Sequence, residues 1–338
     1  MKKIIHLFIL VIVFSCHCSA QAAIDPLPSW QNGANKQAIL DFIQVTTHKN
    51  NAHYIPPDQR FAVFDQDGTL WVEKPMYTEI LFSFDRILAL APKHPEWKKR
   101  EPFKSILNHD ATRMSHFTDK ELTEIITVTH TGMSIDEFSK MVSDWLHQAK
   151  DHRWHKPYTD LVYQPMLEVL NYFRLNAFKT YIVSGSGQDF LRVYANETYG
   201  IPPEQVIGTS QILKFIQKNH HNYILKYPHF LLDNNNEGKP QDIYLFIGQR
   251  PQAAFGNSIG DERMFDYIQD NPEKTLMMLV YHDDPVREYE YGNQSSVGTF
   301  SDALMKKANQ NGWHVISMKK DWKKIFAFER SANNDDEI

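Results

Sequence analysis

Cysteine is nearly absent from this sequence. Its 338 residues contain two, Cys16 and Cys18, both close to the start of the chain. A disulfide-stapled fold is therefore excluded for the rest of the chain, which must be held by its core. Apolar runs are short as well. The longest, IIHLFILVIVF at residues 4–14, is well below the ~20 residues that a membrane-spanning helix needs. Dense basic stretches are missing too. KDWKK at 320–324 is the strongest, and Asp321 and Trp322 interrupt it. No basic footprint for a phosphate backbone exists, which disfavours nucleic-acid binding. The 16 histidines form no H-E-x-x-H pattern and have no cysteine partners. The cluster His147, His152 and His155 beside Trp154 therefore reads as surface or packing residues, not a zinc site. No internal repeat or low-complexity tract is present.

Apolar and aromatic residues are plentiful. At 42% hydrophobic and 13% aromatic, the chain can bury a sizeable core, which excludes a disordered or fibrous protein. The N-terminus reads as an export signal. Lys2 and Lys3 precede the 4–14 run, and Ala20-Gln21-Ala22 offers a small-residue cleavage site. Residues 1–22 are thus expected to be removed after Ala22, giving a periplasmic or secreted protein with no membrane span. Loss of Lys2 and Lys3 takes the net charge from −5 to −7. Lipidation at Cys16 is the alternative, and Phe14 fits it poorly, because small residues usually precede a lipidated cysteine.

The remaining pattern is that of an α/β protein. Residues 23–34 form a Pro-, Gly- and Asn-rich lead-in, and Asn35 is placed to cap a helix over 36–48. A buried strand follows at 61–65. Helical periodicity then dominates 76–91, 119–130 and 134–149, the last opening with the capping pair Ser134 and Glu137. A further helix starts at Pro165. Short apolar runs at 179–184, 253–257, 275–282 and 313–318 alternate with helical stretches, as in a parallel sheet covered on both faces. The expectation is a Rossmann-like, doubly wound parallel sheet built from residues 23–72 and 177–330. A helical cap is inserted at 73–176, and an acidic tail follows at 331–338. Trp71, Phe82, Phe84 and Tyr163 are expected in the core.

The first strand raises the functional question, because FAVFDQDGTLW ends a buried run on two carboxylates, Asp65 and Asp67. In an open α/β sheet, ligands bind beyond the carboxyl ends of the strands, so both acids are delivered to the ligand edge. A calcium loop does not fit, since glycine follows at position four of the D-x-D and not at six. DNNNEG at 233–238 has the glycine but would need Tyr244 as its bidentate ligand, so it reads as a loop. Ser184 ends a second buried strand and leads into Gly185, Ser186 and Gly187, a turn suited to an anion. Lys239 follows Gly238 as a point charge suited to phosphate. Asn257 and Asp261 end a third strand.

In order along the chain, FDQDGTL, VSGSG, Lys239 and GNSIGD resemble the four motifs of the haloacid dehalogenase superfamily. The phosphoserine-phosphatase-like branch, which carries a helical cap between motifs one and two, is the nearest in layout. The resemblance implies a phosphatase acting on small phosphorylated metabolites. Asp65 would be the nucleophile and Asp67 the general acid and base. Ser184, Gly185 and Lys239 would bind the phosphate. Mg2+ would be held by Asp65, Asp67, Asp261 and Asn257, the last standing where the family often has aspartate. Glu73, Lys74, Arg113 and Met133, at the start of the cap and within it, are candidates to face a substrate, with a solvated or packed role as the alternative. A phosphotransferase using the same site, or a metal-dependent binding protein of the same fold, are the other readings.

Overall fold

The computed structural model of the chain describes residues 24–329. The expected signal segment and the acidic tail lie outside the described residues. Seven strands form one sheet in the order β4-β3-β2-β1-β5-β6-β7. They are β1 (Phe61–Phe64), β2 (Lys179–Gly187), β3 (Val206–Lys218), β4 (His221–Leu232), β5 (Ala253–Gly256), β6 (Leu276–Tyr281) and β7 (His314–Ser317). All neighbours pair in parallel except β3 and β4. Every residue of β1 and β5 is buried, as a strand covered on both faces requires.

Alternation along β1 divides the core. Ala62 and Phe64 join Phe255 and Ile182 on one face. There they pack against Ile39, Phe42 and Ile43 of the helix Ala34–Thr47 and Met166, Val169 and Phe173 of the helix Gln164–Leu175. Val63 faces the opposite layer with Ala254 and Leu279, against Ile243, Met264, Phe265 and Leu304. Phe64 and Phe255, register neighbours on β1 and β5, stack with ring centroids 4.4 Å apart. The first helix starts after Gly33, two positions earlier than an Asn35 cap would set. Asn35 instead donates to the Val315 carbonyl at 2.8 Å and to Asp321 at 2.9 Å, so tertiary partners took the side chain that local capping would have used.

Between β1 and β2 lies a helical insertion with a small core of its own, formed by Ile80, Phe84, Ile87, Trp97, Phe103, Ile106 and Ile125. Its helices Asp119–His130 and Ile135–Gln148 both open with complete capping boxes, Thr118 with Glu121 and Ser134 with Glu137. The helix Ile135–Gln148 buries Phe138, Val142 and Leu146 in the larger core instead. The two stems of the insertion run side by side. Trp71 bridges to Val162, and the Val72 amide donates to the Leu161 carbonyl at 3.1 Å.

The long β3–β4 hairpin departs from the expected strand–helix alternation. Its strands close over Asn219 and His220, both at positive φ (50° and 61°), as a two-residue hairpin turn demands. Near its middle the hairpin grips the insertion. Lys226 exchanges backbone bonds with Gly132 and Met133, and its buried ammonium pairs with Asp189. Among the described residues no helix is long and apolar enough to cross a membrane.

Candidate active site

Three strand ends deliver the site. Asp65 follows β1 directly, its amide still in the ladder through the Phe255 carbonyl at 2.9 Å. Lys239, in the first turn of the helix Gly238–Ile247, places its ammonium between two carboxylates: 2.7 Å from Asp65 Oδ1 and 2.6 Å from Asp261 Oδ1. Asp261 is fixed in turn by the amides of Asn257 and Ser258, which donate to its Oδ2 at 2.9 and 3.1 Å. Asp67 takes a bond from Trp71 Nε1 at 2.7 Å and from Ser186 Oγ at 2.6 Å. Ser184 is buried within the neighbouring strand β2, which runs on to Gly187 where the sequence suggests a turn; its Oγ accepts from the Ser186 amide at 3.2 Å. Gly185 lies between the two serines, in the stretch where the pairing of β2 with β3 slips.

Burial sets the electrostatics. It pushes Asp65 up to about 8, helped by the charge of Asp261 and opposed by Lys239. Asp67 is raised by burial as well, and its bonds from Ser186 and Trp71 pull it back. Burial would lower Lys239, yet the two carboxylates outweigh it and hold the ammonium protonated. The cluster therefore gathers more buried negative charge than one lysine balances, a setting that favours a second cation. Its donors are hard oxygens: carboxylates, the Asn257 amide oxygen and the backbone carbonyls of the β1 turn. Among the described residues, no three side chains of the histidine, cysteine or acidic type form a ready cluster. Hard oxygen donors of this kind would fit Mg2+, which uses one or two carboxylates and completes its shell with water and substrate oxygens.

The remaining expected residues divide. Glu73 is buried and accepts from Asn257 Nδ2 and Tyr291 OH, both at 2.7 Å; burial lifts it to about 8. Lys74 bonds Ser295 and lies over the Tyr291 ring. Arg113 pairs with Glu121 within the insertion. Met133 sits at the seam with the hairpin, its carbonyl accepting from the Lys226 amide at 3.0 Å. Neither Arg113 nor Met133 is hydrogen-bonded to the carboxylate cluster. His147, His152 and His155 are exposed.

Other residues of the site escape the sequence reading. Glu79, in the first turn of the helix Thr78–Leu90, accepts from the Gly187 amide at 2.8 Å and lies 3.1 Å from His130 Nε2. His282 follows β6, with Nε2 2.8 Å from the Gly68 carbonyl and Nδ1 3.0 Å from Glu288. A polar residue closing a buried strand was the signal for Asp65, Ser184 and Asn257, and it was present at His282. Glu79 and Tyr291 carry no such mark.

No protein-family model matches this chain, and no curated protein matches it. Solved structures do. A conserved, functionally unknown protein from Anaerococcus prevotii is 16% identical, over 84% of this chain and 91% of that one, with a TM-score of 0.56. A protein of unknown function from Bordetella pertussis is 14% identical over 76% and 98%, with a TM-score of 0.47. A phosphoserine phosphohydrolase-like protein from Francisella tularensis is 12% identical over 76% and 94%, with a TM-score of 0.39. The chain is thus an α/β protein with a mostly parallel, Rossmann-like seven-stranded sheet and a helical insertion after β1, and its fold is similar to that of the Anaerococcus prevotii protein.

Proposed function

We propose that the protein is an exported, Mg2+-dependent phosphatase that hydrolyses small phosphomonoesters through an aspartyl-phosphate. The observation that carries this reading is the Lys239 bridge between Asp65 and Asp261, with Asp67 held beside it by Ser186 and Trp71. The Asp65 carboxylate attacks phosphorus, and the ester P–O bond breaks as the new one forms. Asp67 gives its proton to the departing alkoxide. It then takes one from the water that attacks the aspartyl-phosphate, which releases inorganic phosphate and restores Asp65. A carboxyl raised by burial can carry that proton near neutral pH. Ser184, Gly185 and Lys239 receive the non-bridging oxygens and balance their charge. Mg2+ held by Asp65, Asp67, Asn257 and Asp261 would supply further charge neutralisation at phosphorus. Export rests on the signal-like segment at residues 1–22.

The test is hydrolysis of p-nitrophenyl phosphate and a panel of small phosphomonoesters by the purified protein, with EDTA and with Mg2+ restored. Activity is expected only with Mg2+. Asp65→Asn should abolish turnover, and Asp67→Asn should lower kcat by about 10²- to 10⁴-fold. A folded wild-type protein that hydrolyses none of them at any Mg2+ concentration would be a binding protein and would end the proposal.

A further inference from the structure

Trp71 lies against Asp67, although its place in the sequence marks it only as a core residue. Its indole Nε1 donates to Asp67 Oδ1 at 2.7 Å, across four residues of one tight loop. The loop closes on the same residue. The Gly68 amide donates to the Trp71 carbonyl at 2.9 Å, and Gly68 stands at a φ of 73°. The ring cannot swing away. It is 1% exposed and stacks on Tyr194, with centroids 4.9 Å apart and planes 18° from parallel. Gln66 Nε2 holds Tyr194 in turn, donating to its hydroxyl at 2.6 Å.

The two oxygens of Asp67 therefore meet unlike partners. An indole N–H only donates, so the oxygen that faces it must accept. A hydroxyl both donates and accepts, and Ser186 Oγ lies 2.6 Å from Oδ2. A proton on Oδ1 would compete with the fixed N–H. A proton on Oδ2 finds a partner that can reverse its role. Oδ2 is also the oxygen bonded to the stretch of β2 that carries Ser184 and Gly185.

We infer that Trp71 is a positioning residue for proton transfer: its indole N–H fixes the Asp67 carboxyl so that Oδ2 carries the proton given to the leaving group. In that step the Oδ2–H bond breaks, the departing oxygen takes the proton, and Asp67 is left as a carboxylate still held by Trp71. The inference rests on the phosphatase reading above and adds to it which oxygen acts and what aims it. Trp71 also bridges to Val162 at the stem of the insertion, so the residue that aims the acid is part of the insertion's own attachment.

Leaving groups of different basicity test this, read as kcat/KM of the purified protein, which ends at departure of the leaving group. p-Nitrophenolate departs without a proton, whereas phenolate and, more so, an alkoxide need one. Trp71→Phe keeps a ring on Tyr194 and removes the N–H. Its kcat/KM should fall by about 10- to 100-fold with the best alkyl phosphate of the panel, part of what a general acid supplies, and by no more than about threefold with p-nitrophenyl phosphate. Phenyl phosphate should fall in between. In an Asp67→Asn background, which has no proton to give, adding Trp71→Phe should cost no more than about threefold with any ester. A merely structural role would lower all the esters alike in both backgrounds. Equal losses across the esters, or no loss, overturn the inference and leave the phosphatase reading standing. A wild-type protein that hydrolyses no phosphomonoester overturns that reading itself. Should Trp71→Phe fail to fold, replacement of Trp71 by benzothienylalanine, which has sulfur in place of the N–H, carries the same expectation, and equal losses there overturn the inference.

Discussion

Asp67 is a carboxylate whose two bonds come from opposite kinds of neighbour. Trp71 is built into the core, and Ser186 belongs to the irregular last residues of β2. Both bonds lower a pKa that burial raises. Ser186→Ala removes one of them, so the Asp67 pKa rises further. As general acid, Asp67 must be protonated when the leaving group departs, and activity falls as pH rises through its pKa. The alkaline limb of the kcat profile should therefore move to higher pH in Ser186→Ala. An unmoved or lowered limb would remove Asp67 from the acid role. Asp65, Asp67, Ser184, Lys239 and Asp261 were legible in the sequence because each sits beside a short apolar run or a glycine. The sequence marks such strand ends by an abrupt change of polarity. Tyr291 and Glu288 were not legible. They come from the irregular chain after β6, and only folding brings them to Glu73 and His282.

At the scale of elements, the insertion is fastened to the end of β2 by Glu79, which binds the Gly187 amide and faces His130. Burial lowers the His130 pKa, and Glu79 opposes that shift. The unfolded chain therefore binds a proton more readily than the folded one as pH falls past about 6.5. Stability from this group is complete above that pH and is lost below it. The loss is at most about 1.4 kcal/mol per pH unit, until the folded pKa is reached. Urea midpoints measured from pH 7.5 down to 5 should fall, and His130→Asn should flatten the slope. An identical slope in the variant would exclude His130 as its source. Apolar periodicity made the helix at 119–130 readable, and the capping pair Ser134 and Glu137 marked the start of the one at 135–148. The β3–β4 hairpin was not readable as one. Its turn, Asn219-His220, lacks the glycine that usually marks a two-residue hairpin. Much of its outer half is exposed, Phe215 and Leu213 included, so no regular alternation marks a buried face.

Across the whole molecule, the lead-in and the C-terminal segment close on each other. Trp30 pairs with Trp322 edge to face and sends its Nε1 proton to the Pro165 carbonyl at 3.0 Å. The Gln31 and Lys323 amides bond across the same seam at 2.7 and 2.8 Å. Trp30→Ala should cost about 3–5 kcal/mol, as for other buried tryptophans, and leave kcat of the folded fraction unchanged, since none of these groups belongs to the carboxylate cluster. A variant as stable as the wild type in denaturant titration would mean that the seam contributes little. The attachment of the insertion has a different reach. It is tied at its stems through Trp71, Val72, Leu161 and Val162, and again by Lys226 of β4. A swing about the stems alone is blocked by that second tether. For the cleft to widen, the outer hairpin must travel with the helices it holds. The bend would then fall where strand pairing already slips, between Ser210 and Leu213.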